Sequence, residues 1–269
     1  MKEYFENKVA VITGAASGIG LGMTEHLLKR GAMAVFMGDI NQENLTRESE
    51  RLNLLFPGKV FTVLTDVTKL EQVGELITKA EAFDGHLDFV FNNAGVGLTL
   101  PTEKITFEMW KTAIDINLMG VIYGTYTAIP IMREQGFGHI INTASIAGRI
   151  PIPYQAVYAA TKSAVISMTE SLQYELKADG LQFSILCPGN VITSIFQGLA
   201  TPPADAITVD EAMDYAFQEI EHKSLVIIFP QSMRDIDVLY RENLPEFEKV
   251  VYSLAAERRE NYRTKGTYY

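Results

Sequence analysis

The chain has 269 residues, 47% of them hydrophobic, and a formal net charge of -10. That is enough for one substantial core, and the acidic balance argues against an electrostatic footprint for DNA or RNA. No apolar run reaches the ~18 residues of a membrane span, and the start "MKEYFENK" carries charge where a secretory signal needs an apolar run.

The lone cysteine, Cys187, cannot form a bridge within the chain, so we expect a cytoplasmic protein. His26, His86, His139 and His222 are scattered and form no ligand pattern, and no metal site is expected.

In chain order, "KVAVIT", "AVFMGD", "KVFTVLTDV", "LDFVFNNAG", "GHIINTAS", "QFSILCPG" and "LVIIF" have the length and β-branched or aromatic content of buried strands. Amphipathic stretches such as "LGMTEHLLKRG", "QENLTRESERLNLLF" and "LEQVGELITKAEAF" lie between them, as in helices that cross between parallel strands. Asn41 and Thr106 are placed to cap helices, and "TVDE" from Thr208 to Glu211 reads as a capping box. The expected fold is α/β, a doubly wound Rossmann fold with a seven-stranded parallel sheet flanked by helices. One domain spans 1–269, with a substrate lid at about 190–225 and a helical C-terminal appendage at 231–269.

After the first strand, "TGAASGIG" carries Gly14, Gly18 and Gly20. Glycines at that spacing let the backbone approach a pyrophosphate, whose charge the next helix N-terminus meets. Asp39 ends the second strand nineteen residues beyond Gly20, where a carboxylate can accept hydrogen bonds from both adenosine ribose hydroxyls. Ligands of open α/β sheets sit outside the carboxyl ends of the strands, and six successive predicted ends carry Gly14, Asp39, Asp66, Asn92, Ser145 and Pro188. Each has a structural alternative: Asp66 as a turn residue, Asn92 and Asn93 as strand-terminating amides, Ser145 as a helix cap. Their joint placement points to a single dinucleotide crevice.

"TGAASGIG", "NNAG" at Asn92 to Gly95, Asn117, Ser145, "YAATK" at Tyr158 to Lys162 and "PGNVIT" at Pro188 to Thr193 together resemble the short-chain dehydrogenase/reductase family in its single-domain form. The resemblance runs in order from about Lys8 to Thr193; beyond about Ile207 it is one of general layout.

Tyr158 and Lys162 share a helix face, with Cβ atoms about 5–6 Å apart. At an effective dielectric near ~20, a positive charge at about 5 Å favours the phenolate by about 3 kcal/mol, or about two pK units. A phenol starting near ~10 then moves towards ~8, closer to the range useful for general acid-base work.

The resemblance implies that Tyr158 passes a proton to or from the substrate oxygen while Ser145 hydrogen-bonds that oxygen. It gives Lys162 the nicotinamide ribose and Asn117 a bound water leading from Lys162 towards solvent. Gly14, Ser17, Ile19, Asp39, Asp66, Val67, Asn92, Val191 and Thr193 would make the cofactor site, the last two meeting the carboxamide. Gly18, Gly20, Asn93, Ala94, Gly95, Pro188 and Gly189 complete it, with Tyr158 and Lys162 at the nicotinamide end.

NAD(H) is the expected cofactor. Asp39 would accept from a free ribose 2'-OH but repel a 2'-phosphate, and neither the glycine loop nor Ile40 offers a cation. An NAD-binding sensor or scaffold without turnover is one alternative, and retention of Tyr158 and Lys162 speaks against it. Epimerase or dehydratase chemistry is another, but the related extended enzymes have a larger C-terminal domain than this chain has room for.

The helices containing "MGVIYGTYTAIPIM" and "YAATKSAVISMTESLQYEL" are apolar or small over much of their circumference, and relatives pair these helices across two-fold axes, so a homodimer or homotetramer is expected. Candidate substrate walls are "GLTLP", "GRIPIPYQ" with Arg149 and Tyr154, and the lid from Asn190 to Ile207. The lid carries Ile195, Phe196 and Leu199 and no lysine or arginine. That suits an apolar body better than a phosphate or coenzyme A group, so we expect a hydrophobic secondary alcohol and its ketone over a polyol or an acyl thioester. Arg149 could meet a substrate carboxylate or face solvent.

Overall fold

The computed structural model describes residues 4–193, 203, 205–266 and 268. Its centre is a seven-stranded parallel sheet in the order β3-β2-β1-β4-β5-β6-β7. The strands are β1 (Val9–Thr13), β2 (Ala34–Asp39), β3 (Val60–Leu64), β4 (Phe89–Asn92), β5 (Gly138–Thr143), β6 (Leu181–Pro188) and β7 (Val226–Phe229), each on one of the seven runs expected from the sequence, with β6 starting one residue earlier. In β1 the alternate residues Ala10 and Ile12 join one apolar cluster while Val9 and Val11 join another on the opposite face. Burial on both faces is why inner strands such as β1 and β4 read as unbroken apolar runs, whereas the edge strand β3 leaves Thr62 and Leu64 exposed.

Helices α1 (Gly18–Lys29), α2 (Gln42–Leu55) and α7 (Val209–Glu221) cover one face, sending Met23, Leu27, Leu45, Leu52 and Phe217 into its core. On the other face, α3 (Leu70–Asp84), α5 (Gly120–Gln135) and α6 (Ala156–Leu176) contribute Leu76, Met132 and Leu172. The expected caps are in place: the Asn41 side chain accepts from the Asn44 backbone N–H at 2.9 Å, and Thr208 and Glu211 form a reciprocal capping box. Thr106 likewise caps α4 (Phe107–Ile114).

Between α4 and α5 the chain winds through a π-helical turn at Asp115–Met119, with helical dihedrals on either side. Beyond β7, α8 (Gln231–Glu242) and α9 (Leu244–Lys265) enclose a smaller apolar cluster in which Ile146, Ile150 and Phe247 are buried. The strand order reverses between β1 and β4, which opens a crevice at their carboxyl ends.

Candidate active site

A cleft of about 620 Å3 runs along those carboxyl ends, within the range of small-molecule and cofactor sites. Gly14, Ser17, Gly18, Ile19, Asp39, Asp66, Val67, Asn93, Ala94, Gly95, Tyr158, Lys162, Pro188 and Thr193 all line it. The carboxyl ends of five strands, β1, β2, β3, β4 and β6, and the first turns of α6 therefore converge on one space.

The glycine loop is shaped by contact as much as by conformation. Gly14 has φ +65°, and a Cβ there would lie 2.8 Å from Ala94 Cα. A Cβ on Gly20 would lie 2.1 Å from the Gly14 carbonyl oxygen, so α1 starts flush against the loop. Ser17 precedes α1 without a side-chain capping bond, leaving the first N–H groups directed to the end of the helix that lines the cleft. Thr13, which the motif reading passed over, braces the loop after β4: its hydroxyl accepts from the backbone N–H groups of Asn93 and Ala94 at 3.0 and 3.1 Å.

At the far end, Asp39 accepts from the Ala16 and Asn41 backbone N–H groups, both at 2.9 Å. Its carboxylate thus ties the glycine loop to the end of β2. Asp66 is both things the sequence allowed: its Oδ1 accepts from the Thr68 N–H and hydroxyl, as a turn residue does, and it lines the cleft.

Tyr158 and Lys162 lie on successive turns of α6, with Lys162 Nζ 5.7 Å from the centre of the Tyr158 ring. Lys162 is buried and donates to the Thr143 carbonyl oxygen at 2.8 Å. Burial pushes its pKa down to about 8, which leaves it mostly protonated at pH 7. Ser145 is also buried; its Oγ accepts from the Ala147 N–H at 3.1 Å and stands 3.4 Å from the Pro188 carbonyl oxygen, too long for a firm hydroxyl bond. The Asn117 amide is committed to the chain: it exchanges hydrogen bonds with the Val96 backbone at 2.8 and 2.9 Å and reaches Thr161.

Several expected residues sit elsewhere than the motifs suggested. Asn92 is 1% exposed and lies beneath the cleft, its Nδ2 donating to Thr125 and Asn142, because β4 ends with that side chain turned into the sheet–helix interior. Gly20, Gly189 and Val191 shape the walls from behind: the Gly189 N–H donates to the Phe229 carbonyl at 2.7 Å, and Val191 pairs with Ile207.

Arg149 neither faces solvent nor reaches into the cleft. It forms a bidentate pair with Asp237 at 2.9 and 3.1 Å. Burial pushes the Asp237 carboxyl up, but the hydrogen bonds from Arg149 and Arg241 outweigh this and hold it below the usual carboxylate range. Tyr154 has φ +68° and packs its ring 5.0 Å from that of Tyr268. Ile195, Phe196 and Leu199 lie outside the described residues. Ile40, Thr65, Val96, Gly97, Ile116 and Thr143 also line the cleft; most are direct neighbours of motif residues, and that adjacency was the available signal.

Residues 8–203 match a family model described as short chain dehydrogenase. The chain belongs to the short chain dehydrogenase family. An uncharacterised oxidoreductase of Staphylococcus epidermidis is 34% identical over 220 residues, covering 81% of this chain and 94% of the relative. Among solved structures of short chain dehydrogenases, one from Burkholderia phymatum, in complex with NAD, is 27% identical with a TM-score of 0.77, covering 97% of this chain and 95% of that one. Another from Burkholderia cenocepacia, in complex with NADP, is 26% identical with a TM-score of 0.80, covering 92% and 98%. Membership brings oxidoreductase chemistry with a nicotinamide cofactor, and the cleft's residues fit such a group: a glycine loop in which Gly14 and Gly20 leave no room for a Cβ, a carboxylate at one end and a buried lysine at the other.

Proposed function

We propose that this short chain dehydrogenase is an NAD(H)-dependent oxidoreductase that interconverts a hydrophobic secondary alcohol and its ketone. The observation that carries the reading is the joint presence of Asp39, Lys162 and Tyr158 along one cleft. A bound nicotinamide would take up or give the hydride at the substrate carbon. Tyr158 would hold the proton exchanged with the substrate oxygen, favoured towards phenolate by the nearby ammonium of Lys162. Ser145 would turn its weakly engaged hydroxyl to the same oxygen. Because the Asn117 amide is occupied by Val96, support for a water near Lys162 would fall to the Asn117 backbone, where the π turn alters the helical bonding pattern.

Preference for NAD(H) over NADP(H) rests on Asp39, with Ile40 beside it and no arginine among the described residues lining the cleft. The apolar substrate class rests on the lid sequence and on Val96 and Ile116 in the wall. With Arg149 held by Asp237, Lys162 is the one cation among the described lining residues. The reading carries a homodimer or homotetramer through α5 and α6, which expose Tyr126 and Tyr174; light scattering at micromolar concentration tests it. For the reaction, the test is a screen of NAD reduction over steroid, aliphatic, cyclic, polyol and acyl-thioester alcohols. Turnover should concentrate among the hydrophobic secondary alcohols; turnover of polyols or acyl thioesters alone would overturn the substrate class.

A further inference from the structure

The segment between Ser145 and Tyr158 carries a proposed chemical group at each end, yet the last two helices hold it. Arg149, on this segment, is gripped by Asp237 of α8 through two hydrogen bonds, with side chains only 11% and 8% exposed. Arg241, one turn along α8, donates to the same carboxylate at 3.1 Å. Farther along, the Pro153 carbonyl accepts from buried Arg258 of α9 at 2.7 Å. Ile146 and Ile150 share an apolar cluster with Phe247 of α9.

The apolar cluster alone could hold the segment down, but apolar contact is non-directional. A buried ion pair adds little net stability over apolar residues of the same volume, because both charges lose their hydration. What the bidentate guanidinium–carboxylate geometry supplies is orientation. The segment also contains Tyr154 at φ +68°, a left-handed conformation that crowds the Cβ of any residue but glycine and persists only where surrounding contacts impose it. The Leu100 N–H on the Tyr154 carbonyl at 2.9 Å and the Tyr268 ring impose it here.

We infer that Asp237 and Arg258 are positioning residues, and that α8 and α9 form a clamp that sets the Ser145–Tyr158 segment in register with the cleft. This rests on the reading of Ser145 and Tyr158 as the groups that handle the substrate oxygen. The clamp acts through Arg149 and the Pro153 carbonyl, and neither Asp237 nor Arg258 lines the cleft.

Asp237→Asn and Arg258→Met provide the test, compared with the wild type by amide hydrogen exchange, NADH binding and NAD reduction with 1-phenylethanol and cyclohexanol as probes. Exchange over 146–157 should rise on the order of tenfold in both variants while β1 to β5 stay protected. NADH affinity should stay within about twofold and kcat should fall roughly tenfold at unchanged KM for NAD, with Asp237→Glu recovering most of the loss. Unchanged exchange over 146–157 in both variants would overturn the clamp, as would a uniform rise across the sheet, which reports only a loss of stability. If the wild type turns over neither alcohol but the local exchange shift is present, the clamp stands and the alcohol reading falls. Turnover without the exchange shift removes the clamp alone.

Discussion

Lys162 and Thr143 are joined by a 2.8 Å hydrogen bond, the buried ammonium donating to the carbonyl oxygen that ends β5. The bond anchors the lysine 5.7 Å from the Tyr158 ring centre, so the charge that would favour the phenolate is fixed by the sheet. Tyr158→Phe should therefore leave Lys162 in place and NADH binding intact by fluorescence titration. Turnover should fall by about 10²- to 10⁴-fold, the usual worth of a positioned acid-base group. A variant retaining most of its activity would place the proton transfer elsewhere.

Asp39 has two duties, binding the Ala16 and Asn41 N–H groups and presenting a carboxylate to the cleft. Losing a charged hydrogen-bonding group costs about 1.5–3 kcal/mol, or roughly 10- to 100-fold in affinity. Asp39→Ala is expected to raise KM for NAD by that factor and KM for NADP by less, since the repulsion of a 2'-phosphate goes with the carboxylate. Equal losses with both cofactors would show that Asp39 only shapes the loop.

Gly20→Ala tests the flush contact between α1 and the glycine loop. The added methyl would meet the Gly14 carbonyl oxygen at 2.1 Å and Asn93 Nδ2 at 2.7 Å, and the carbonyl is backbone that cannot swing aside. Overpacking of this kind costs about 1–3 kcal/mol. Thermal unfolding should show that loss, and calorimetry should show NADH affinity falling further than stability alone explains.

His139 is buried between the Tyr4 hydroxyl at 3.0 Å and Ser184 Oγ at 2.9 Å. Burial, helped by the charge of Lys223, lowers its pKa from 6.5 to about 3. Between those values the unfolded chain binds the proton that the folded chain refuses, so this group's stabilising contribution is whole above pH 6.5 and is lost as pH falls towards 3. His139→Asn should cost about 1–3 kcal/mol at neutral pH by leaving partners unpaired. Denaturant titrations should also show its stability declining less steeply than the wild type's below pH 6.5; parallel acid limbs would contradict the assignment.

The sheet was legible because its inner strands are buried on both faces, so they left short apolar runs bounded by glycine, asparagine, aspartate or proline. Asp39 and Tyr158 were legible because each sits at a fixed offset from a local motif. The direction of the Asn92 side chain was not legible, because an amide ending a strand looks the same whether it faces the cleft or, as here, Thr125 and Asn142. The pairing of Arg149 was hidden for a different reason: its partner Asp237 is 88 positions away, and no spacing rule links a loop arginine to an acid on a distant helix. The π turn left no mark either, since Asp115–Met119 has the composition of ordinary helix.

That turn makes the stretch from Phe107 to Gln135 one continuous rod with a slip in phase. Ile116 reaches the cleft and Asn117 holds Val96 from inside the slip, while α5 keeps its own buried stripe against β4 and β5 beyond it. Deleting one residue there would restore regular winding and leave α4 and α5 in their present phase, because the wider turn takes up one extra residue between them. Ile116 and Asn117 would then lose the places the wide turn gives them, whatever side chains were chosen. Elsewhere in the cleft the identity of a residue sets the geometry; here it is the number of them.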